Sequence, residues 1–228
     1  MSGVPDKVMS QSHTSKSCFA TCPRQYEARY VTKEVKFELG EAAAWGDEVH
    51  KALEAYVRDG VPLPANVAMY QKWGDAIRMR QGVKVLEGTL AIRADRTPCD
   101  FFDPEAWLRA KIDVLILNDT LAEVIDYKTG KQKHDVAQLR RYALLVMANH
   151  PEVEKVRTGF AWLKDGALSK PMVYTRGHID GIMQIEQREH DQIEAAYMTG
   201  KFTPKPSGLC NGWCPVTRCE FWKPKRSY

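Results

Sequence analysis

Asp126 and Lys128 are the residues whose types and spacing most directly suggest chemistry. They close the stretch Leu121-Ala-Glu-Val-Ile-Asp-Tyr-Lys128. Leu121 to Ile125 are mostly apolar or β-branched and Thr129-Gly130 is a stop signal, which predicts a short buried strand. Side chains alternate along a strand, so Asp126 and Lys128 share one face and Ile125 and Tyr127 the other. A carboxylate and an ammonium so placed can hold a divalent cation and steady a nucleophile or a phosphate. A second carboxylate, Asp113, arrives on Ala110 to Leu117, and the turn residues Asn118-Asp119-Thr120 predict a hairpin. A two-residue loop at Asp119-Thr120 pairs Asn118 with Leu121 and sets Asp113 opposite Asp126. A loop at Asn118-Asp119 sets Asp113 opposite Val124, still on the Asp126 face. A three-residue loop turns it away unless a bulge intervenes, so the chemistry requires an even loop or a bulge. The competing reading of Asp126 and Lys128 is a surface ion pair, worth about 0 to 1 kcal/mol and of no catalytic use.

Several elements must position these groups. Glu41 to Arg58 predicts a helix, with Trp45, Val49, Leu53 and Tyr56 as its apolar stripe. His50 and Glu54 lie one turn apart beside that stripe. A second amphipathic helix is expected from Ala65 to Gln81, then a strand from Val83 to Ala94 with Gly88 as a bulge, then a loop from Arg96 to Glu105. Asp135 caps a further helix whose core face is Val136, Leu139, Ala143 and Val146, and Asp135-x-x-Gln138 also fits a capping box. Gln138 and Tyr142 stack one turn apart on it, with Arg140 and Arg141 to the side. Val156 to Leu163 and Met172 to Thr175 predict strands, and Gly181 to Thr199 a long helix closed by Gly200. Near the start, Ser17 to Thr32 reads as helical, with Phe19, Tyr26 and Tyr30 for packing. Residues 1–14 are polar and read as a flexible N-terminus.

The chain has 228 residues, 44% hydrophobic and 27% charged, enough for one large domain or one with an appendage. A net charge of +4 is compatible with nucleic acid without demanding it. No apolar run approaches the roughly 18 residues that span a bilayer. Met1 to Lys7 has no apolar signal region, which predicts a cytoplasmic, reducing setting, bacterial or in a phage-infected cell. No phosphate-binding Gly-x-x-x-x-Gly-Lys loop occurs, so ATP use is not expected. In a reducing compartment, clustered cysteines suggest metal before disulfide. Cys210, Cys214 and Cys219 supply three thiols and need a fourth ligand, for which Cys22 is the leading candidate and Cys18 a spare. Cys99, His178 and His190 read as structural or incidental.

Asp113…Asp126-x-Lys128 resembles the core of the PD-(D/E)XK nuclease superfamily. Gly46-Asp-Glu-Val-His50, Lys111-Ile-Asp113, Ile125 to Gly130 and Gln138-Leu-Arg-Arg-Tyr142 follow the motif order of its RecB-like exonuclease branch, and Ser15-x-Ser17 with Cys22-Pro-Arg-Gln-Tyr26 resembles that branch's opening. This resemblance spans residues 12 to 222. It resembles a phage-type stand-alone nuclease and is similar to iron–sulfur CRISPR-adaptation nucleases. It implies an α/β fold with a restriction-endonuclease-like core, a central mixed β-sheet flanked by helices, and a C-terminal Cys-rich appendage packed against the N-terminal helix. The expected division is 1–14, a nuclease core over 15–200, and a metal- or cluster-binding appendage over 201–228. The implied activity is divalent-metal-dependent DNA exonuclease action in phage or bacterial replication or recombination. An endonuclease, or a silent Cys-stapled DNA-binding protein, is the alternative. The implied metal ligands for Mg²⁺ or Mn²⁺ are His50, Asp113, Asp126 and the Tyr127 carbonyl, with Lys128 catalytic and Glu54 orienting His50. Some relatives carry an acid in the preceding strand, where Glu87 is nearest. Substrate contacts fall to Gln138, Tyr142, Arg140, Arg141, Lys131 and Lys133, with Tyr142 favoured over Gln138. Trp213, Phe221 and Trp222 are candidates to stack on bases or to pack around the cysteines, and Lys223 to Arg226 reads as a solvated tail. The four thiols resemble an iron–sulfur staple, though their spacing of three then four intervening residues departs from the family's two then five. A [4Fe–4S] cluster, Zn²⁺ and reduced thiols stay open. DNA is the expected partner, a replication or recombination protein a further one, and a membrane is not expected.

Overall fold

The computed structural model describes residues 8–36 and 40–225; expectations placed on residues 1–7 and on Arg226 lie outside these. In chain order the helices are α1 (His13–Thr21), α2 (Pro23–Tyr26), α3 (Glu41–Asp59), α4 (Gln71–Arg78), α5 (Val136–Asn149) and α6 (Ile179–Thr199). The strands are β1 (Val83–Ile92), β2 (Leu108–Asn118), β3 (Leu121–Lys128), β4 (Lys155–Trp162), β5 (Ala167–Leu168) and β6 (Met172–Thr175). Two compact units result, residues 39–183 and residues 1–38 with 184–228.

Residues 39–183 hold a mixed six-stranded sheet in the order β1-β2-β3-β4-β5, with β6 also on β4. Only β3 and β4 run parallel; α5 connects them, as a parallel pair requires. The other ladders are antiparallel. One face of the sheet packs on α5 through Ile112, Leu115, Leu144, Val156 and Phe160. The other packs on α3 and α4 through Val49, Leu53, Trp73, Ile77, Val114 and Ile125. This is a restriction-endonuclease-like core.

The β2–β3 turn takes the two-residue form: Asn118 pairs with Leu121 and Val114 with Ile125. Asp119, at φ 49°, supplies the left-handed residue that so tight a turn needs. One step on, the same register sets Asp113 opposite Asp126. The β1–β2 ladder keeps constant register from Val83↔Leu117 to Ile92↔Leu108, yet lacks a pair at Glu87 and Asp113. Both strands exchange faces there. Ile112 packs towards α5 but Val114 towards α3, and Leu90 towards α5 but Leu86 towards α3. Glu87, at φ 50°, performs the inversion in β1. The expected bulge at Gly88 is therefore an in-register break one residue earlier.

Three local expectations change. The second amphipathic helix is short, Gln71–Arg78 behind a 3₁₀ turn at Ala68–Tyr70. Val136 is 48% exposed, because it is the first residue of α5 and lies outside the sheet's footprint. The expected helix over Ser17 to Thr32 breaks at Cys22, which is extended (φ −162°, ψ 113°) because it precedes Pro23.

Gly74 marks the crossing of α3 and α4, where a Cβ would meet Tyr56 Cδ1 at 2.5 Å. Gly74→Ala is expected to cost about 1 to 3 kcal/mol through overpacking. The check is the urea midpoint, which should fall at unchanged slope.

In the other unit, Tyr26, Ile193, Ala196, Tyr197 and Phe202 form a small aromatic core. Lys16, buried on α1, pairs with buried Glu186 at 2.7 Å and donates to its carbonyl at 2.8 Å. Among the described residues no helix is long and apolar enough to cross a membrane.

Candidate active site

Where β1 and β2 break their ladder, α3 lays His50 over the gap. His50 Nδ1 stands 3.3 Å from Asp113 Oδ1 and 3.7 Å from Glu87 Oε1. Ligand atoms of His50, Glu87 and Asp113 all lie within 4.8 Å of one another. An imidazole with two carboxylates at that spacing is a donor set for a divalent transition metal or Mg²⁺. Asp113 Oδ2 accepts the Tyr127 N–H at 2.7 Å, which fixes the carboxylate to the β3 backbone. It is the N–H of Tyr127 that touches Asp113. Lys111 Nζ lies 2.5 Å from Glu87 Oε2, a partly exposed counter-ion two residues before Asp113.

Asp126 is 3% exposed and turned towards α5. Its Oδ1 accepts the Tyr142 hydroxyl at 2.6 Å and the Gln138 amide at 2.9 Å; Gln138 also donates to the Tyr142 oxygen at 2.7 Å. Lys128 Nζ sits 2.6 Å from Asp126 Oδ2 and 5.3 Å from the Phe160 ring centroid. The Asp126–Lys128 pair is thus buried at its acid end, unlike a surface ion pair.

The electrostatics follow from this crowding. Burial, then the neighbouring Asp113 charge, pushes the Asp126 carboxyl up to about 6, against the pull of Lys128 and Tyr142. Burial works to lower the His50 pKa, but the hydrogen bond that its ring N–H donates to Asp113 and the charges of Asp113, Glu87 and Asp126 outweigh it and raise it. The surrounding acids therefore favour positive charge at this position. Tyr142 lowers the Asp126 pKa through its hydroxyl, so Tyr142→Phe is expected to move the Asp126 titration above 6 in metal-free protein, by ¹³C carboxyl NMR. An unchanged titration would show that the hydroxyl does not stabilise the anion.

Of the residues singled out from sequence, His50, Asp113, Asp126, Lys128, Gln138 and Tyr142 gather in this one region. Two of the candidate substrate contacts are buried. Tyr142 and Arg141 are each 4% exposed. Tyr142 clamps Asp126. Gln138 spends its amide on the same clamp, while Asp135 caps its backbone N–H at 3.3 Å. Glu54 pairs with Arg58 at 2.6 Å in place of orienting His50. Lys131 and Lys133 are exposed and Arg140 half-buried. Glu87 is the member that motif reasoning left outside the ligand set; the only cue was an acid in the strand before Asp113.

In the second unit, Cys22, Cys210, Cys214 and Cys219 line one cleft with Pro204, Lys205 and Trp222. Burial and then the thiols of Cys22, Cys210 and Cys219 push the Cys214 pKa up, against a backbone hydrogen bond that lowers it. The Lys205 N–H points at Cys22 Sγ at 3.4 Å and the Ser207 N–H at Cys210 Sγ at 3.5 Å. Cys18 packs against the aromatic core, and burial pushes its thiol up to about 11.

A sheet that sets an acid abreast on each of three successive strands, with a lysine two residues after the last, defines a restriction-endonuclease-like protein of the nuclease class. The family model of the PD-(D/E)XK nuclease superfamily matches residues 10–219, and the chain belongs to that superfamily. Among solved structures it is similar to a candidate exonuclease from Eubacterium rectale, with TM-score 0.51 at 12% identity over 90% of this chain and 87% of that one. It also matches SSO0001 with TM-score 0.45 at 14% identity, over 95% and 88% of the two chains. No curated protein matches.

Proposed function

We propose that this chain is a divalent-metal-dependent deoxyribonuclease of the RecB-like kind that hydrolyses phosphodiester bonds from DNA ends, in bacterial or phage replication or recombination. The carrying observation is the cluster of His50, Glu87 and Asp113 beside Asp126-x-Lys128. Bound there, Mg²⁺ or Mn²⁺ would supply a Lewis acid and lower the pKa of a water. His50, Glu87 and Asp113 hold the cation, with the imidazole favouring Mn²⁺. Asp126, clamped by Tyr142 and Gln138, adds negative charge at its edge and the Tyr127 carbonyl is a further ligand position. Lys128 holds positive charge where the scissile phosphate must lie, and Lys131 and Arg140 are its candidate backbone contacts. A cytoplasmic setting suits six cysteines that form no disulfide.

For the four-thiol cleft we favour a [4Fe–4S] cluster, with Zn²⁺ as the alternative. The donor set fits: four cysteines on one cleft, with backbone N–H groups aimed at two of the sulfurs, as iron–sulfur proteins use to tune their clusters. In this reading residues 201–228 form a cofactor-held appendage to the nuclease core, though Met1–Glu38 shares its compact unit.

End-labelled linear DNA and covalently closed circles, each with Mn²⁺ or with chelator, test the activity. Metal-dependent shortening from the labelled end supports the exonuclease. Nicked circles would make it an endonuclease, and inertness on both would leave a silent DNA-binding protein. Anaerobically purified protein should be brown; colourless protein with stoichiometric zinc would replace the cluster assignment.

A further inference from the structure

The charge of this chain is concentrated at one end. Residues 201–228 contain six basic residues against one acid, a net of +5, so the preceding 200 residues carry −1 of the chain's total of +4. Among the described residues of this stretch, Lys201, Lys205, Arg218, Lys223 and Lys225 are all exposed. Two aromatic side chains stand out among them, Trp213 at 66% and Phe221 at 39% exposed. A large aromatic left in water within a basic field is the composition of a surface that binds single-stranded nucleic acid through stacking and phosphate contacts.

The backbone shows that Trp213 is built into place. In sequence it lies between two of the cleft cysteines, Cys210 and Cys214, with its N–H on the Leu209 carbonyl at 3.1 Å. Asn211 bridges to Lys223, whose N–H reaches the Cys210 carbonyl at 2.8 Å. This brings the following residues across Gly212, where a Cβ would stand 2.6 Å from the Lys225 nitrogen. Only a glycine, here at φ 79°, admits so close a crossing. The result is Lys225 Nζ held 3.8 Å from the centroid of the Trp213 ring. Trp222, by contrast, turns inward and donates its indole N–H to the Cys214 carbonyl at 3.0 Å.

We infer that the Trp213–Lys225 face is a stacking platform for single-stranded DNA, separate from the hydrolytic centre, in which a base packs on the indole and Lys223 and Lys225 face the flanking phosphates. This rests on the proposed nuclease reading and adds to it a preference for unpaired strands. The sequence tolerance of stacking suits an enzyme that must process any sequence.

The test is fluorescence anisotropy of a labelled oligo(dT), with full-length, cofactor-loaded protein in chelator so that no cleavage occurs. Trp213→Ala is expected to weaken binding between about fivefold and one hundredfold, and Trp213→Phe by less. Lys225→Gln should flatten the slope of log affinity against log salt by about 0.7. Gly212→Ala should weaken oligo(dT) binding as well, by displacing Lys225. Unchanged iron or zinc content and melting temperature in the tryptophan variants show that the fold is kept. Wild-type affinity in Trp213→Ala overturns the platform while leaving DNA cleavage to stand. Equal loss of affinity for duplex of the same length would also overturn it. A wild-type protein that binds no oligo(dT) overturns it too, and if that protein also fails to cut DNA the nuclease reading falls separately.

Discussion

Asp126→Asn is expected to abolish metal-dependent DNA cleavage and, at the same time, to make the metal-free protein more stable at neutral pH. The two effects share one cause. Asp126 is 3% exposed, and burial with the adjacent Asp113 charge raises its carboxyl from 3.8 to about 6. The native state therefore holds its proton more tightly than the unfolded chain does. Between those two values stability falls as pH rises, and above the folded value the full penalty of the buried charge is present. A shift of that size corresponds to about 3 kcal/mol. Asparagine keeps an oxygen to accept from Tyr142 and Gln138 but carries no charge, so most of that penalty should vanish. Urea melts in chelator should show the gain at pH 7.5 and its disappearance near pH 4. Loss of a charged group at a hydrolytic metal centre removes several kcal/mol of transition-state stabilisation, so cleavage should drop by roughly 10³-fold or more. A variant that cuts DNA at a tenth of the wild-type rate would remove Asp126 from the chemistry. One that is less stable at pH 7.5 would mean that the Lys128 pair outweighs the burial.

Cys214→Ser is expected to release the segment around it. Among described residues 203–225, Val216 is the only buried side chain, and the only helical turn is the 3₁₀ turn Gly208–Cys210. Apolar burial of that extent cannot offset the conformational entropy of ordering more than twenty residues. Four thiols on one cleft would do so with the proposed metal or cluster bound, since a structural metal centre contributes on the order of 10 kcal/mol to a peptide of comparable size. Trypsin should cut Cys214→Ser after Arg218, the cleavable site within this stretch since Lys205 and Lys223 precede proline, while sparing the wild type. Cys99→Ser, in the loop between β1 and β2, is the control and should behave as wild type. Equal protease resistance in the two cysteine variants would mean that the segment orders itself without a bound group.

How far the sequence foretold all this depends on the range of the signal. The turn Asn118-Asp119-Thr120 carried the register that sets Asp113 against Asp126, because loop length and strand alternation are local properties. The helical stripe around His50 was local in the same sense, whereas the stop before Pro23 was read through as one continuous helix. Glu87 was not legible as a ligand, since its place depends on a left-handed residue in mid-strand and on a partner strand that inverts at the same row. Nor did the spacing of Gln138 and Tyr142 say whether they face substrate or Asp126. Four residues apart puts two side chains on one face, but only the packing of α5 on the sheet decides what that face meets. The burial of Arg141 has the same origin.

The matched face exchange at Glu87 and Asp113 has a consequence for how the β1–β2 hairpin is specified. An ordinary hairpin that slides by two residues keeps every side chain on its proper side, so such errors are cheap. Here a slide of two would carry the crossover point of one strand past that of the other, and on the rows between them apolar groups would face outward in one strand and inward in its mate. The acid row thus behaves as a keyed joint: the position that shapes the candidate cation site also disfavours sliding of the strands that carry it.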